Sequence, residues 1–160
     1  MNKYINSEAN QHVMKLLLLG ASVQLVSGKM VYVKFQLENN IEVSYVYHIN
    51  KKNNYFLERI KPYPLPIKEF CTAEEIIDII QLDYFQYKNA VKSKNIREFI
   101  EINKDLHKSM KSFEDLFLYY NIPLESLNTI KKNISEVKAL IAKGPESYER
   151  LFFDKDPENL

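Results

Sequence analysis

Glycine and cysteine are both scarce in this chain, which has 3 glycines and 1 cysteine in 160 residues. A phosphate-binding loop needs several closely spaced glycines, and no segment provides them. The single cysteine, Cys71, excludes an intramolecular disulfide and any zinc or iron–sulfur centre with several thiolate ligands. A chain without disulfides suits a reducing compartment, so we expect a cytoplasmic protein.

Charge of one sign and long hydrophobic runs are also lacking. The formal net charge is +1, so no global field attracts nucleic acid or an anionic membrane. The longest apolar run near the start, at 13–19, is too short to cross a bilayer. It follows polar residues rather than the basic head of a signal peptide. We therefore expect no membrane partner.

The hydrophobic period changes near Pro62, from alternation before it to helical spacing after it. The first part predicts a helix that Ser7 caps and Gly20 ends, followed by an antiparallel meander of four strands. The predicted strands are 23–26, 30–38, 41–49 and 55–60. Prolines at alternating positions in 61–66 predict an extended polyproline connector rather than a strand.

The pairing of the second and third predicted strands follows from residue parity. Apolar residues occupy odd positions in both, and a two-residue loop would place one of these sets in water. A three-residue loop at 38–40, with Asn40 left-handed, pairs Val33 with Tyr45 instead. The same logic places Gly28 in a left-handed position in the preceding loop.

The second half of the chain predicts three helices. Thr72 and Glu75 form a capping box that opens the first, which extends to about Asn89. Steps of three and four predict the other two, from Ile96 and from about Leu124. We define the first seam as Phe99, Asn103, Leu106, Met110, Phe113, Phe117 and Tyr120, and the second seam as Leu127, Ile130, Ile134, Val137 and Ile141.

The predicted fold class is α+β: an N-terminal helix, a four-stranded antiparallel β-meander, then three helices. We expect the last two helices to form an antiparallel hairpin in which the two seams meet. Residues 1–66 hold the first helix and the sheet. Residues 67–145 form a helical region packed on the sheet or extending from it, and 146–160 form a polar tail.

The predicted register places Tyr32 and His48 together on the polar face of the sheet, near Met30 and Val46. Such a group could bind a ligand or a partner. We favour the alternative that a helix or the tail covers that end of the sheet, because a lone histidine is weak evidence for catalysis. The three histidines of the chain lack the spacing of a metal site.

Asp83 lies at the border of the apolar face of its helix, where it is either a buried acid or the partner of Arg59 or a lysine. Tyr45 and Tyr47 point inward in the predicted register, as core residues or as walls of a pocket. We favour the core. Cys71 has no neighbouring base or second thiol in the sequence, so we treat it as a spectator.

Aromatic and basic residues mix along the third and fourth predicted strands. They are Tyr47, Lys51, Lys52, Tyr55, Arg59, Lys61 and Tyr63. Stacking surfaces beside cations suit single-stranded nucleic acid. The near-zero net charge, the few arginines and the lack of an aromatic sheet signature favour a solvated turn instead.

We expect a non-catalytic cytoplasmic interaction or regulatory module that binds protein, with a homodimer formed through the helical half. The alternative is a small-molecule or nucleic-acid binding domain that uses the tyrosine-rich sheet, and an enzyme of unfamiliar type ranks third. No catalytic residue, metal or cofactor is expected. The candidate binding residues are Tyr32, Tyr47, His48, Arg59, Lys61 and Tyr63.

We predict that the chain binds random single-stranded RNA with a Kd weaker than about 1 μM at physiological salt, because no net positive field releases counterions. Fluorescence anisotropy with a labelled random oligonucleotide measures this affinity. Tighter binding that is lost in the Lys51→Glu/Lys52→Glu variant would contradict the prediction.

Overall fold

The computed structural model describes residues 3–23, 28–50, 55–70 and 72–157. It confirms the α+β class, with an N-terminal helix, a four-stranded antiparallel meander and then helices. The strands are β1 (Gly28–Gln36), β2 (Glu42–Asn50), β3 (Tyr55–Lys61) and β4 (Leu65–Phe70). The helices are α1 (Lys3–Leu18), α2 (Ala73–Ala90), α3 (Ile96–Tyr119), α4 (Leu124–Ala142) and α5 (Gly144–Ser147).

The start of α1 differs from the prediction, whereas its end agrees. The helix begins at Lys3, so Ser7 lies inside it rather than capping it. Gly20 follows the last turn with φ of 86°, the left-handed conformation that commonly ends a helix. Its amide donates to the carbonyl of Leu17 at 3.0 Å, which closes that turn.

The strands pair in the order β1-β2-β3-β4, but the fourth strand is not the expected one. Most of the predicted strand at 23–26 lies outside the described residues. The expectation that the prolines exclude a strand was wrong, because Pro66 lies within β4, opposite Glu58. An edge strand tolerates proline, since the missing amide donor can face away from the ladder.

The register of β1 against β2 is the predicted one, with Val33 opposite Tyr45. A three-residue turn at Glu38–Asn40 joins the strands, as expected. Asn40 is left-handed with φ of 58°, and Asn39 is left-handed too, with φ of 57°. Asparagine is one of the few residues that adopt this conformation at low cost. The odd residues of both strands therefore share the inner face of the sheet.

The main core lies between this inner face and α2. Its buried residues are Val43, Tyr45, Leu57, Ile76, Ile80 and Tyr87. The predicted cap of α2 is confirmed, because the Thr72 hydroxyl accepts a hydrogen bond from the Glu75 amide at 3.3 Å. The apolar spacing of α2 predicts one broad face of Ala73, Ile76, Ile77, Ile80, Tyr84 and Tyr87, with Ile79 lying off it. Ile76, Ile80 and Tyr87 are buried as predicted. Ile77 is 58 % exposed, whereas Ile79 packs against the core.

A second cluster fastens the start of α3 to the sheet. Its buried residues are Ile41, Tyr63, Val91, Ile96 and Ile100. The side-chain amide of Asn39 adds a hydrogen bond to the Val91 carbonyl at 2.8 Å. Beyond Ile100, every large apolar side chain of α3 is exposed. The helix is thus packed near its first turns and presents the rest of its apolar face to solvent.

The two long helices have the predicted limits, but their seams are not packed against each other. In the first seam Phe113 and Phe117 are 39 % and 58 % exposed, and in the second seam Ile134 is 50 % exposed. The connection between the helices begins and ends in extended conformation, at Tyr120 and Pro123. The expected hairpin packing therefore differs from the structure, since α4 leaves α3 without covering its seam.

Gly28 is the first residue of β1, opposite Asn50, and is not left-handed as expected. A Cβ atom there would collide with the Ile49 carbonyl oxygen and the His48 imidazole. We therefore predict that Gly28→Ala lowers the free energy of unfolding by about 1–3 kcal/mol, the usual effect of overpacking.

Urea denaturation followed by circular dichroism measures this change. Gly144→Ala is the matched control, because its Cβ would lie 3.5 Å from the nearest atom of Tyr148, an ordinary contact. Equal stability of the two variants would show that the close approach at Gly28 is not real.

Candidate functional site

Arg59 is a charged residue inside the main core, with only 5 % of its surface exposed. It lies on β3 opposite Tyr45, where Leu57 and Arg59 face α2. A buried guanidinium needs a counter-charge and hydrogen-bond acceptors to offset its lost hydration. The residues around Arg59 supply both.

Asp83 of α2 supplies the counter-charge. Arg59 Nη1 donates to both carboxylate oxygens of Asp83, at 3.1 Å to Oδ1 and 3.0 Å to Oδ2. The Tyr45 hydroxyl donates to the same Oδ2 at 2.6 Å. Of the two interpretations of Asp83, the structure therefore shows the ion pair. One carboxylate joins β2, β3 and α2.

Two aromatic rings flank the guanidinium. The Arg59 Cζ atom lies 4.6 Å from the centroid of the Tyr63 ring and 5.1 Å from that of Tyr87. Both tyrosines are buried. A guanidinium over an aromatic face gains cation–π attraction, which is larger when water is excluded. We refer to Tyr45, Arg59, Tyr63, Asp83 and Tyr87 as the arginine cluster.

Three members of the cluster, Tyr45, Arg59 and Tyr87, have raised pKa values. Burial raises the pKa of Tyr45 far above its ordinary value, and the negative charge of Asp83 adds to this. Burial also raises the pKa of Tyr87, although the positive charge of Arg59 opposes the shift. Burial lowers the pKa of Arg59, but Tyr87 and Asp83 outweigh it and leave the pKa raised. None of these three groups exchanges a proton near neutral pH, as a general acid or base must.

Two cavities adjoin the arginine cluster. The larger, of about 280 Å³, is lined by Arg59, Tyr63, Asp83, Gln86, Tyr87, Ala90 and Phe99. The other, of about 230 Å³, lies between α2, β4 and the residues near Pro157. Arg59 Nε is buried and has no hydrogen-bond partner among the described residues. The guanidinium therefore retains one unsatisfied donor beside both cavities.

The six candidate binding residues divide between the two faces of the sheet. Arg59 and Tyr63 come together in the arginine cluster, and Tyr47 is half-buried against the main core. Because Arg59 and Tyr63 are buried, they do not offer a stacking surface to a nucleic-acid strand. The neighbouring Lys51 and Lys52 lie outside the described residues.

Tyr32, His48 and Lys61 belong to the opposite face. The predicted pairing of His48 with Met30 is confirmed, and Met30 and Tyr32 are exposed. The Tyr32 hydroxyl donates to Glu42 Oε1 at 3.2 Å, and Lys61 Nζ lies 3.4 Å from the same oxygen. This arrangement is a solvated polar network around one glutamate.

Sequence reasoning missed the roles of Tyr87 and Phe99. Helical spacing predicts that Tyr87 lies on the apolar face of its helix, one turn from Asp83, but nothing local indicates that a cation lies against its ring. The sequence does carry a signal for Arg59, because alternate residues of a strand point to the same face of the sheet. Tyr55, Leu57 and Arg59 are alternate residues, so Arg59 points toward the core if the other two do.

The described part of the chain contains no group of three or more His, Cys, Asp or Glu side chains that could hold a metal ion. No helix within it is both long enough and apolar enough to span a bilayer. Cys71 lies outside the described residues.

We predict strong coupling between Arg59 and Asp83. Arg59→Met and Asp83→Leu should each lower the free energy of unfolding by about 3 kcal/mol, because each leaves a charge without its partner. The double variant should be more stable than the sum of the two losses implies, by about 1–3 kcal/mol. Urea denaturation of the four proteins gives the coupling energy.

Lys132 and Glu136 provide the control cycle, because their charged atoms lie 3.9 Å apart on an exposed face of α4. Their coupling should be below about 0.5 kcal/mol. Additive losses in the Arg59 and Asp83 cycle would rule out the ion pair as a structural contact.

The chain matches no protein-family model, no curated protein and no solved structure. Its function therefore has to be inferred from its own geometry.

Proposed function

We propose that the protein is a non-catalytic cytoplasmic interaction module that binds a protein partner through the seams of α3 and α4. The observation that carries this proposal is the run of exposed apolar side chains on these helices. On α3 they are Phe99, Ile102, Leu106, Met110, Phe113, Leu116, Phe117 and Leu118, and on α4 they are Leu124, Ile134, Val137, Leu140 and Ile141.

The total surface supports the same conclusion. The chain exposes 13381 Å². A compact monomer of 18.9 kDa exposes about 8,300 Å². The excess of about 5,000 Å² includes polar surface and also comes from α1 and the tail. The part that these exposed side chains of α3 and α4 contribute is apolar, and a contiguous exposed apolar face is typical of a binding surface.

The anchoring of α3 suits such a role. The second cluster fixes the first turns of the helix to the sheet, so the seam beyond Ile100 extends from a rigid base. A partner that offers its own amphipathic helix can then pack knobs into holes along this seam. The ion pair between Arg59 and Asp83 joins β3 to α2 within the core, which favours a structural role for it.

The cavity beside Arg59 favours a second candidate function, which is binding of a small molecule. Its aromatic lining and the unsatisfied Arg59 Nε suit a planar ligand with a hydrogen-bond acceptor. Native mass spectrometry of the purified protein tests this candidate. A stoichiometric small molecule that is retained by the wild type and lost from Arg59→Lys would favour it.

We predict that Phe117→Glu abolishes protein binding without unfolding the chain. Phe117 is exposed within its own chain, so its replacement should change the free energy of unfolding by less than about 0.5 kcal/mol. A charge in a packed seam, in contrast, should remove the partner. Tagged protein is co-expressed with an untagged copy, and the stoichiometric proteins that it retains are measured.

Ser112→Glu is the matched control, because Ser112 lies on the same helix outside the seam and is exposed. Tagged Ser112→Glu protein should retain the same stoichiometric proteins as the tagged wild type. Equal retention by Phe117→Glu, or no stoichiometric protein on the wild type, would refute the interaction module.

A further inference from the structure

We infer that the partner is a second copy of this chain, and that the first seam of each copy packs antiparallel on the second seam of the other. This inference rests on the proposed function, and it names the partner. It begins from the fact that one chain carries two matching apolar seams and leaves most of both exposed, with Leu127 and Ile130 half-buried.

The two seams match in spacing and in length. Both advance by alternating steps of three and four, the pattern of helices that pack side by side. The helices have 24 and 19 residues, which correspond to about 36 and 28 Å. An antiparallel alignment with Phe117 opposite Ile130 also sets Phe113 opposite Ile134 and Met110 opposite Val137. The second seam can thus cover the first over most of its length.

Within one chain this pairing is not made. Phe117 is exposed at the end of α3, and Ile134 and Ile141 are exposed along α4. A second copy presents the same two surfaces. Two-fold symmetry lets each first seam meet the second seam of the other copy, so that all four helices are covered at once. A closed dimer forms in this way, whereas a single foreign helix would cover only one seam.

Charges beside the seams favour the same pairing. In the antiparallel alignment, Glu114 of α3 comes beside Lys131 of α4. Both side chains are exposed and neither has a described ion-pair partner in its own chain. Opposite charges at flanking positions guide the choice of partner and of orientation.

The area is compatible with a stable dimer. Obligate dimers bury about 2,000–5,000 Å² in total. Each copy exposes about 5,000 Å² more than a compact monomer of its mass, and the exposed parts of the two seams belong to this excess.

Cysteine cross-linking tests the exchanged pairing directly. In a Cys71→Ser background, Met110→Cys is introduced into one batch and Val137→Cys into another, and the two batches are mixed under mild oxidation. We expect a disulfide between the two kinds of chain. Lys111→Cys, next to Met110 but outside the seam, should not cross-link to Val137→Cys. Sedimentation equilibrium should give twice 18.9 kDa for the uncross-linked protein.

Three outcomes would overturn the inference. A monomeric mass at high micromolar concentration, with Phe117-dependent retention of another protein, would refute the dimer but leave the interaction module standing. Preferential cross-linking of Met110→Cys to itself would replace the exchanged pairing with contact between two first seams. A monomeric, intrachain disulfide in the Met110→Cys/Val137→Cys double variant would show that the hairpin closes within one chain, and would refute the module as well.

Discussion

The ion pair between Arg59 and Asp83 sets how α2 lies on the sheet. A carboxylate that must meet a buried guanidinium has to point inward, and the residues on the same helical face then point inward with it. Ile76, Ile80 and Tyr87 lie on this face and are buried. Ile77 is turned outward by the same rotation. A single electrostatic constraint thus selects which apolar residues form the core.

The register of β1 and β2 could be predicted because two independent constraints agree. The apolar residues of both strands have odd numbers, so burying both sets on one face requires odd residues to pair with odd residues. Such a pairing needs a three-residue turn, and Asn40 adopts the left-handed conformation that this turn requires. Strand β4 could not be predicted in this way. Proline is excluded from a central strand, where every amide must pair, but it is tolerated in an edge strand such as the one that holds Pro66. Whether a strand lies at an edge depends on the whole sheet and cannot be read from the local sequence.

The candidate site was predictable only in part, since its residues come from distant segments. Arg59 and Tyr63 were among the candidate residues and Asp83 was a possible partner, but the role of Tyr87 depends on how α2 is rotated. Helical spacing likewise predicted both seams but not what covers them. A periodic apolar face requires burial, and the same spacing serves contacts within a chain and between chains.

We propose that the sheet and α2 are stable within one chain, whereas α4 and α3 beyond Ile100 are stabilised by a second chain. Hydrogen exchange measured at increasing protein concentration tests this division most directly, because protection reports local stability. The account predicts that amides of β2, β3 and α2 are equally protected at every concentration. Amides of α3 beyond Ile100 and of α4 should gain protection as concentration rises. Full protection of both helices at the lowest concentration would contradict it.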